Sequence, residues 1–384
     1  MNTETRAERI NICFIGRTNV GKSTIINKLV NQDVSIISEI PGTTTDPVAK
    51  RYEFNNIGAV TLYDTAGYDD ISELGKKRLE RSLKILNKSD LAILVVDNDG
   101  LLEEDLKFID RIMELNIKYF IIQNKTDLSP VHSVNNAIHF SDKLGNANLI
   151  VKKIITTLKQ QNEKQLLAGI VSAYATIILV MPIDDAAPKG RIIIPQAQVI
   201  REILNNSAIA ICCKDTEIKD VIDNLKYKPA YVISDSQVIK YVCEMVPEDI
   251  PVTTFSILFA RYKGELKFLL DGLKVLKSLT ENDRVLIAEG CSHHTTCDDI
   301  GTVKIPKWLK DYLGFLPNID SCTGSDFPDD LKDYKLVIHC GACMLTRTEM
   351  IRRLQQCVKQ NIPMTNYGMI ISEMNGVLKR VTRL

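Results

Sequence analysis

The chain has 384 residues, 25% of them charged, and its 48 Lys and Arg residues balance its 48 Asp and Glu residues. This balance provides no basic field for nucleic acid or for an anionic membrane surface, so neither is expected as a partner. The polar first residues do not resemble a secretion signal, and the apolar stretch at 173–183 is too short to span a bilayer. We therefore expect a cytoplasmic protein of two or three domains.

Buried strands alternate with helices over the first 165 residues. Four apolar runs predict strands at 10–16, 59–64, 91–97 and 119–125. Periodic apolar patterns between them predict helices at 22–30, 74–88 and 103–115. Because apolar strands that alternate with helices form a parallel sheet covered on both faces, residues 1–165 are expected to form an α/β domain.

Two further blocks of strands and helices follow a polar segment near residue 160. The first block, 170–262, has predicted strands at 176–182, 208–213, 230–234 and 251–256, with helices at 196–205, 217–225 and 236–244. The second block, 263–384, has predicted strands at 284–289, 335–340 and 362–368. The fold class predicted for the whole chain is α/β, with three domains at 1–165, 170–262 and 263–384.

The sequence GRTNVGKS at 16–23 fits the phosphate-binding pattern G-x-x-x-x-G-K-[ST], and it stands between a predicted strand and a predicted helix. Its glycines let backbone N–H groups surround phosphates, and the helix N-terminus adds a partial positive charge. Lys22 is expected to reach the β- and γ-phosphates, and the Ser23 hydroxyl is expected to bind Mg²⁺. The residues predicted to bind the nucleotide here are Gly16, Asn19, Gly21, Lys22, Ser23 and Thr24.

Two more segments change the prediction from a nucleotide to a guanine nucleotide. DTAG at 64–67 ends a predicted strand; its Asp64 would hold Mg²⁺ through water, and the Gly67 N–H would sense the γ-phosphate. NKTD at 124–127 follows another strand, and Asp127 can accept two hydrogen bonds from guanine that adenine does not offer. Asn124 and Lys125 complete this base-binding segment, and Ser141 is a further, weakly marked base contact.

The segment PGTTTDP at 41–47 resembles switch I of the TrmE–Era–EngA group of GTPases. The resemblance implies that Thr44 senses Mg²⁺, with Thr43 and Thr45 as alternatives, and that Asn19 helps to bind K⁺. Tyr68 stands where Ras-type GTPases have a glutamine that orients water. GTP hydrolysis is therefore expected to be slow and faster in K⁺ than in Na⁺, with Lys22, Thr44, Asp64 and Gly67 as its catalytic residues.

Three cysteines of the last quarter follow predicted strands: Cys291 in CSHHTTCDD, and Cys340 and Cys343 in HCGAC. Without a secretion signal, clustered cysteines indicate metal or redox chemistry rather than disulfides. Gly341 is expected to let the C-G-A-C loop turn tightly, so that both of its cysteines face one site. Three thiolates suit either an iron–sulfur cluster with one non-cysteine position or a zinc site with His293 or His339 as fourth ligand, and the absence of any metal is a third alternative.

The order C-x-H, a 45-residue gap and H-C-x-x-C, behind a GTPase, resembles the HydF family of FeFe-hydrogenase maturation GTPases. DDIGTVKIPKWL, VIHCGACML and MTNYGMIIS, together with APKGRIIIPQAQVIREIL in the middle, add to the resemblance, which covers nearly the whole chain. It implies a 4Fe-4S cluster on Cys291, Cys340 and Cys343. Its fourth iron would be open, or bound by a candidate from the set His293, His339, Asp298 and Cys297.

The resemblance also implies a function and partners. The chain would be a homodimer through 170–262 that accepts a diiron precursor shaped by two radical-SAM maturases and delivers it to apo FeFe-hydrogenase, with GTP hydrolysis as the switch. The alternative is a regulatory GTPase with a structural zinc domain; a redox enzyme is a third possibility. Cys322 is expected to be a free thiol in the loop SCTGSD, and Trp308 a packing residue.

Overall fold

The computed structural model describes residues 9–30, 35–40, 48–54, 57–69, 72–128, 132–141, 143, 147–159, 165–183, 192–290, 299–324 and 326–384. The chain divides into two compact units, Met1–Glu163 and Lys164–Leu384. The predicted boundary at residue 165 lies close to this division and stays a prediction. The second and third predicted domains fall within one compact unit, and their separation near residue 263 stays a prediction.

The first unit is built on a seven-stranded sheet in the order β2-β3-β4-β1-β5-β6-β7. Its strands are β1 (Ile10–Ile15), β2 (Ser35–Ile40), β3 (Val48–Phe54), β4 (Gly58–Asp64), β5 (Leu91–Val96), β6 (Lys118–Gln123) and β7 (Ile138–His139). Its helices are α1 (Lys22–Val30), α2 (Glu73–Leu86), α3 (Glu103–Glu114) and α4 (Ala147–Lys159). The four strands and three helices predicted for this region are confirmed.

Both faces of this sheet are covered, as predicted for a parallel α/β sheet. In β1 the alternate residues Ile12 and Phe14 pack into the core on one face, whereas Cys13 and Ile15 pack into the core on the other. All four side chains are fully buried. A strand buried on both faces needs a continuous apolar run, which is why β1 and β5 were recognisable from sequence.

The prediction of a wholly parallel sheet was wrong at one edge. β3 runs antiparallel to β4, and β2 runs antiparallel to β3. The sequence of β3 did not indicate a strand, because Lys50, Arg51 and Glu53 interrupt its apolar residues. Tyr52 and Phe54 are nonetheless buried, so the strand has one covered face and one polar face. Such alternation is typical of strands in antiparallel pairs.

The second unit contains two parallel four-stranded sheets in the orders β11-β10-β8-β9 and β13-β12-β14-β15. The first comprises β8 (Thr176–Val180), β9 (Ile209–Cys213), β10 (Tyr231–Ser234) and β11 (Val252–Thr254), and the second β12 (Arg284–Glu289), β13 (Asn318–Thr323), β14 (Tyr334–His339) and β15 (Met364–Asn366). The helices are α5 (Ile194–Asn205), α6 (Ile218–Asn224), α7 (Ile239–Met245), α8 (Phe255–Lys263), α9 (Leu266–Gly272), α10 (Ile305–Leu313), α11 (Arg347–Lys359), α12 (Tyr367–Met374) and α13 (Leu378–Val381). One apolar core is shared by both sheets.

Two predicted strands of this unit are shorter than expected because a helix begins inside each. β11 ends at Thr254, whose Oγ1 accepts a hydrogen bond from Ile257 N at 3.1 Å. β15 ends at Asn366, whose Oδ1 accepts from Met369 N at 2.9 Å. Thr and Asn are favoured helix N-caps, because their side chains satisfy N–H groups of the first turn. α8 and α12 therefore start directly at the carboxyl ends of their strands.

The placement of Cys322 in a loop was also wrong. Cys322 lies in β13, an edge strand that pairs in parallel with β12. The strand sequence NIDSCT is too polar to indicate a strand by itself, and half-buried edge positions tolerate such residues. Trp308 packs in α10 against the shared core, as predicted. No helix in the described ranges is both long enough and apolar enough to cross a membrane.

Candidate functional site

The phosphate-binding loop connects β1 to α1, and a close approach of two segments shapes it. Gly21 has φ +96°, and a Cβ at this position would lie 2.2 Å from Nδ2 of Asn124. Only glycine fits this conformation and this contact. Asn124 Nδ2 in turn donates to the carbonyl of Val20 at 2.8 Å. The predicted base-binding segment is thereby attached to the predicted phosphate loop.

Lys22 lies folded back on the loop that it follows. Its side chain is buried, and Nζ donates to the carbonyl oxygens of Gly16 at 2.8 Å and of Arg17 at 2.7 Å. Burial lowers the pKa of Lys22, while the carboxylates of Asp64 and Asp69 oppose that shift. A positive charge is thus held where the motif places the phosphates.

The two predicted Mg²⁺ residues are brought together. The Ser23 hydroxyl donates to Oδ2 of Asp64, which lies at the end of β4 directly beside β1. Burial raises the pKa of the Asp64 carboxyl, and the hydrogen bond from Ser23 opposes the rise. A hydroxyl and a carboxylate in contact form the oxygen-rich pair that Mg²⁺ prefers. Thr24 is exposed in the first turn of α1.

The segment after DTAG is tied to the phosphate loop by contacts that the sequence did not indicate. Asp69 Oδ1 accepts from Thr18 N at 2.6 Å and from Thr18 Oγ1 at 2.7 Å. Gly67 packs so closely that a Cβ there would lie 2.2 Å from Thr18 Oγ1. The residue predicted to sense the γ-phosphate therefore touches the phosphate loop directly.

Tyr68 does not stand free at the position of a water-orienting glutamine. Its hydroxyl donates to Asp105 of α3, and its ring stacks on Phe108 with centroids 4.0 Å apart. Arg17 of the phosphate loop pairs with the same Asp105 carboxylate at 3.3 Å and with Asp97 at 3.0 Å. Asp105 is fully buried. Tyr68 is therefore held against α3.

The base-binding segment is held in place by its own backbone geometry. Lys125 has a left-handed φ of +57°, and Asn124 N donates to the carbonyl of Val96 at 2.7 Å. Asp127, the predicted guanine acceptor, keeps part of its side chain accessible and pairs with the exposed Lys143 at 3.2 Å. Ser141 is fully buried. A carboxylate that is paired with an exposed lysine is available to a base that offers two donors.

Several predicted site residues lie outside the described residues. These are Thr44 with its alternatives Thr43 and Thr45, and, in the last quarter, Cys291, His293, Cys297 and Asp298. Their roles stay predictions. Asn19 is described and has a left-handed φ of +63°, which asparagine adopts more readily than most residues.

The two described cysteines of the predicted metal centre lie just beyond β14. Cys340 Sγ accepts hydrogen bonds from Gly290 N at 3.1 Å and from Ala342 N at 3.4 Å. Gly290 precedes Cys291 in the chain, so the end of the β12 segment reaches the H-C-G-A-C loop. Backbone N–H groups that point at sulfur are a property of iron–sulfur sites, where such bonds tune the cluster.

The prediction that the tight turn of this loop lies at Gly341 was wrong, because the turn lies one residue later, at Ala342. Ala342 has a left-handed φ of +55° and is buried. Gly341 has no left-handed φ, and a Cβ there would meet Ser256 only at ordinary contact distance, 3.6 Å. The turn is stabilised from outside the loop, because Nζ of the buried Lys263 donates to the carbonyls of Ala342 and Leu345, both at 2.7 Å.

The two thiols of this loop are buried, and burial keeps them neutral when no metal is bound. Burial raises the pKa of Cys340 to about 12, and the neighbouring Cys343 adds to the rise. Burial also raises the pKa of Cys343, while Lys263 opposes it. Without a metal both groups are neutral thiols at pH 7, and a coordinated metal ion would deprotonate them. The donor chemistry of these residues fits a soft metal or an iron–sulfur cluster.

Both ring nitrogens of His339 have hydrogen-bond partners in the structure. It is fully buried; Nδ1 bonds to the carbonyl of Cys340 at 2.9 Å, and Nε2 to Arg353 Nη1 at 3.1 Å. Arginine only donates, so Nε2 accepts and Nδ1 carries the proton. Burial, with the Arg353 charge, lowers the pKa of His339 to about 3. The role of His339 as a possible fourth ligand stays a prediction; in the structure its two hydrogen bonds attach it to the strand end that carries Cys340.

The described residues alone do not complete a metal site. Among them, no group of three or more His, Cys, Asp or Glu side chains is arranged to hold a metal ion. Cys340 and Cys343 are two donors, and the third predicted cysteine, Cys291, lies outside the described ranges. Lys263 and Arg353 were missed by the sequence analysis, since α8 and α11 bring them to the loop from distant parts of the chain.

Comparison with known proteins agrees with both halves of this description. A family model described as 50S ribosome-binding GTPase matches residues 11–125. GTPase Der of Clostridium botulinum is 42% identical over 127 residues, which is 32% of this chain and 28% of that protein. The tRNA modification GTPase MnmE of Caldicellulosiruptor saccharolyticus is 38% identical over 115 residues, covering 30% of this chain and 25% of that protein. The chain thus spans about a quarter of the length of these curated relatives.

Among solved structures, Era in complex with MgGDPNP and a 16S ribosomal RNA segment is 26% identical, with a TM-score of 0.32, over 38% of this chain and 56% of that one. The remainder of the chain matches two other family models. The hydrogen maturase F dimerization domain matches residues 166–264, and the hydrogen maturase F tetramerization domain matches 267–384. These two matches together cover more than half of the chain, which therefore belongs to the hydrogen maturase F family, with a GTPase domain at its N-terminus.

Proposed function

We propose that this hydrogenase maturation GTPase is a scaffold and carrier. It would hold a 4Fe-4S cluster on Cys291, Cys340 and Cys343 and deliver a diiron precursor to apo FeFe-hydrogenase. The observation that carries the proposal is the loop after β14. There, Cys340 Sγ accepts two backbone hydrogen bonds, and the buried Lys263 ammonium holds the carbonyls on either side of Cys343.

Each of these groups has a role in holding a cluster. Three thiolates bring negative charge into a partly buried site, and a fixed ammonium beside them offsets part of it. The N–H donors orient the sulfur of Cys340, and Arg353 with His339 fixes the strand end from the other side. When bound, the cluster would supply one iron without a cysteine ligand, at which cargo can attach. The candidates for that fourth position are His293, His339, Asp298 and Cys297.

GTP hydrolysis would act as the switch and not as part of the iron chemistry. Gly67 and Asp69 touch the phosphate loop, and Tyr68 is bonded to α3. A change of nucleotide would therefore alter the segment that connects the phosphate site to α3, as order–disorder switches do in GTPases. Partner affinity would change with it. The proposed partners are two radical-SAM maturases and the apo-hydrogenase.

The family's dimerization and tetramerization domains indicate self-association, and we propose a homodimer through the first of them. A purely monomeric full chain in sedimentation experiments would contradict this. A cytoplasmic location is part of the same proposal, because free thiols persist in reducing compartments. All eight cysteines within the described residues are free.

A transfer experiment tests the carrier function. The full chain is purified anaerobically from cells that contain both maturases, and separately from cells that lack them. Each preparation is mixed with apo FeFe-hydrogenase, and hydrogen evolution is measured. We expect activation only with the first preparation. Equal activation by both preparations would contradict the proposal. Failure of the first preparation to activate, although it contains the cluster and additional iron, would contradict it as well.

Hydrolysis is proposed to depend on potassium through Asn19, an exposed residue of the phosphate loop with a left-handed φ of +63°. We expect turnover of GTP to be at least several times faster in K⁺ than in Na⁺ at equal ionic strength. Asn19→Ala should remove most of the difference between the two salts while leaving the rate in Na⁺ almost unchanged. The measurement is phosphate release over time. Equal rates of the unsubstituted protein in both salts would contradict the potassium site.

A further inference from the structure

Asp69 places a carboxylate on the phosphate-binding loop. Its Oδ1 accepts from both the backbone N–H and the hydroxyl of Thr18, at 2.6 and 2.7 Å. Thr18 is the third residue of the loop Gly16–Ser23. In loops of this type the backbone N–H groups surround the phosphates, so this carboxylate uses a donor of the kind that a phosphate oxygen uses.

Two other groups meet at the same place. A Cβ on Gly67 would lie 2.5 Å from Thr18 N and 2.7 Å from Asp69 Oδ1, so the Gly67 backbone touches both partners. Lys22 is near enough for the Asp69 charge to raise its pKa, against the effect of burial. A lysine of this position reaches the β- and γ-phosphates, and a glycine of the DTAG segment contacts the γ-phosphate. Three phosphate-binding elements thus converge on the Asp69 carboxylate.

We propose that Asp69 is a specificity-determining residue, whose carboxylate occupies the γ-phosphate position in the nucleotide-free protein. GTP must displace it, because two anions cannot share the donors of Thr18. GDP lacks the third phosphate and leaves the contact intact. Asp69 therefore lowers the affinity for GTP relative to GDP, and its displacement is the first movement of the switch.

The neighbouring residue explains why the contact re-forms after hydrolysis. Tyr68 is bonded to the buried Asp105 and stacked on Phe108, so the chain just before Asp69 has a fixed point on α3. When phosphate leaves, the Asp69 side chain needs to move only a short distance to return to Thr18. The loss of γ-phosphate is thereby converted into a defined closed state.

The test compares Asp69→Asn with Asp110→Asn, a matched control that removes an exposed carboxylate from α3. Dissociation constants are measured by fluorescence titration for a labelled GDP and for a labelled non-hydrolysable GTP analogue, at fixed Mg²⁺ and ionic strength. Asp69→Asn keeps the size of the side chain and removes the charge. We expect the GTP analogue to bind at least about fivefold more tightly to Asp69→Asn than to the unsubstituted protein. The charge-assisted hydrogen bonds of the carboxylate are stronger than those of a neutral amide, and solvent and salt weaken them at this exposed position.

GDP affinity should change less than about twofold in Asp69→Asn, which also reports that the loop is folded, and Asp110→Asn should match the unsubstituted protein for both nucleotides. Three outcomes would overturn the proposal. One is an equal gain for both nucleotides, which indicates general repulsion of phosphate. The second is weaker binding of the GTP analogue, which indicates that Asp69 assists Mg²⁺. The third is no change for either nucleotide.

Discussion

Replacing Lys22 with alanine is expected to lower kcat/KM for GTP by about 10²- to 10³-fold or more. The Lys22 ammonium lies where the motif places the phosphates. Arg17, the other basic residue of the loop, pairs with Asp97 and Asp105 and is thereby held against α3. Phosphoryl transfer depends mainly on positioning and on compensation of negative charge. Loss of the ammonium removes both contributions from Lys22.

The loss should be chemical and not a collapse of the loop. Gly21 and the bond from Asn124 Nδ2 to Val20 O hold the loop independently of Lys22. The control is Lys107→Ala on α3, which removes only an exposed pair with Glu103. Steady-state phosphate release and thermal unfolding are measured for both. Lys22→Ala activity within threefold of the unsubstituted protein would contradict the assigned role.

The nucleotide site was predictable because its residues follow strands that are obvious in the sequence. Gly16, Asp64 and Asn124 come at or just after the ends of β1, β4 and β6, and the carboxyl ends of parallel strands meet at one edge of a sheet. Local pattern and topology together fix their positions. The contacts of Tyr68 were not predictable, because Asp105 is 37 residues away and depends on where α3 packs.

Polarity explains the elements that were missed or misplaced. β13 is an edge strand, and β3 lies next to the edge strand β2; both carry polar residues and lack the continuous apolar run of a central strand. Glycine in C-G-A-C suggested the turn, yet Ala342 adopts the left-handed φ. A side chain from outside the loop stabilises this turn, since Lys263 of α8 donates hydrogen bonds to the carbonyls of Ala342 and Leu345. Tertiary contacts of this kind leave no local signal in a sequence.

Cys340→Ala is expected to abolish stable binding of the 4Fe-4S cluster, the second large effect. Two of three cysteine ligands do not hold such a cluster, and the substitution also leaves the N–H groups of Gly290 and Ala342 without their sulfur acceptor. The cost to apo-protein stability should be about 1–3 kcal/mol, because Gly290 and Ala342 are buried and their N–H groups lose a hydrogen-bond acceptor. The matched control is Cys212→Ala, which removes an exposed thiol from the edge strand β9.

Anaerobic reconstitution of the full chain with iron and sulfide tests the central claim most directly. Iron, sulfide and zinc are counted per chain, and visible absorption and EPR of the reduced protein are recorded for the unsubstituted protein, Cys340→Ala and Cys212→Ala. The account predicts about four iron and four sulfide in the unsubstituted protein and in Cys212→Ala, and almost none in Cys340→Ala. Added imidazole should shift the EPR signal, because one iron lacks a cysteine ligand. A colourless protein with one zinc per chain, or a cluster retained in Cys340→Ala, would contradict it.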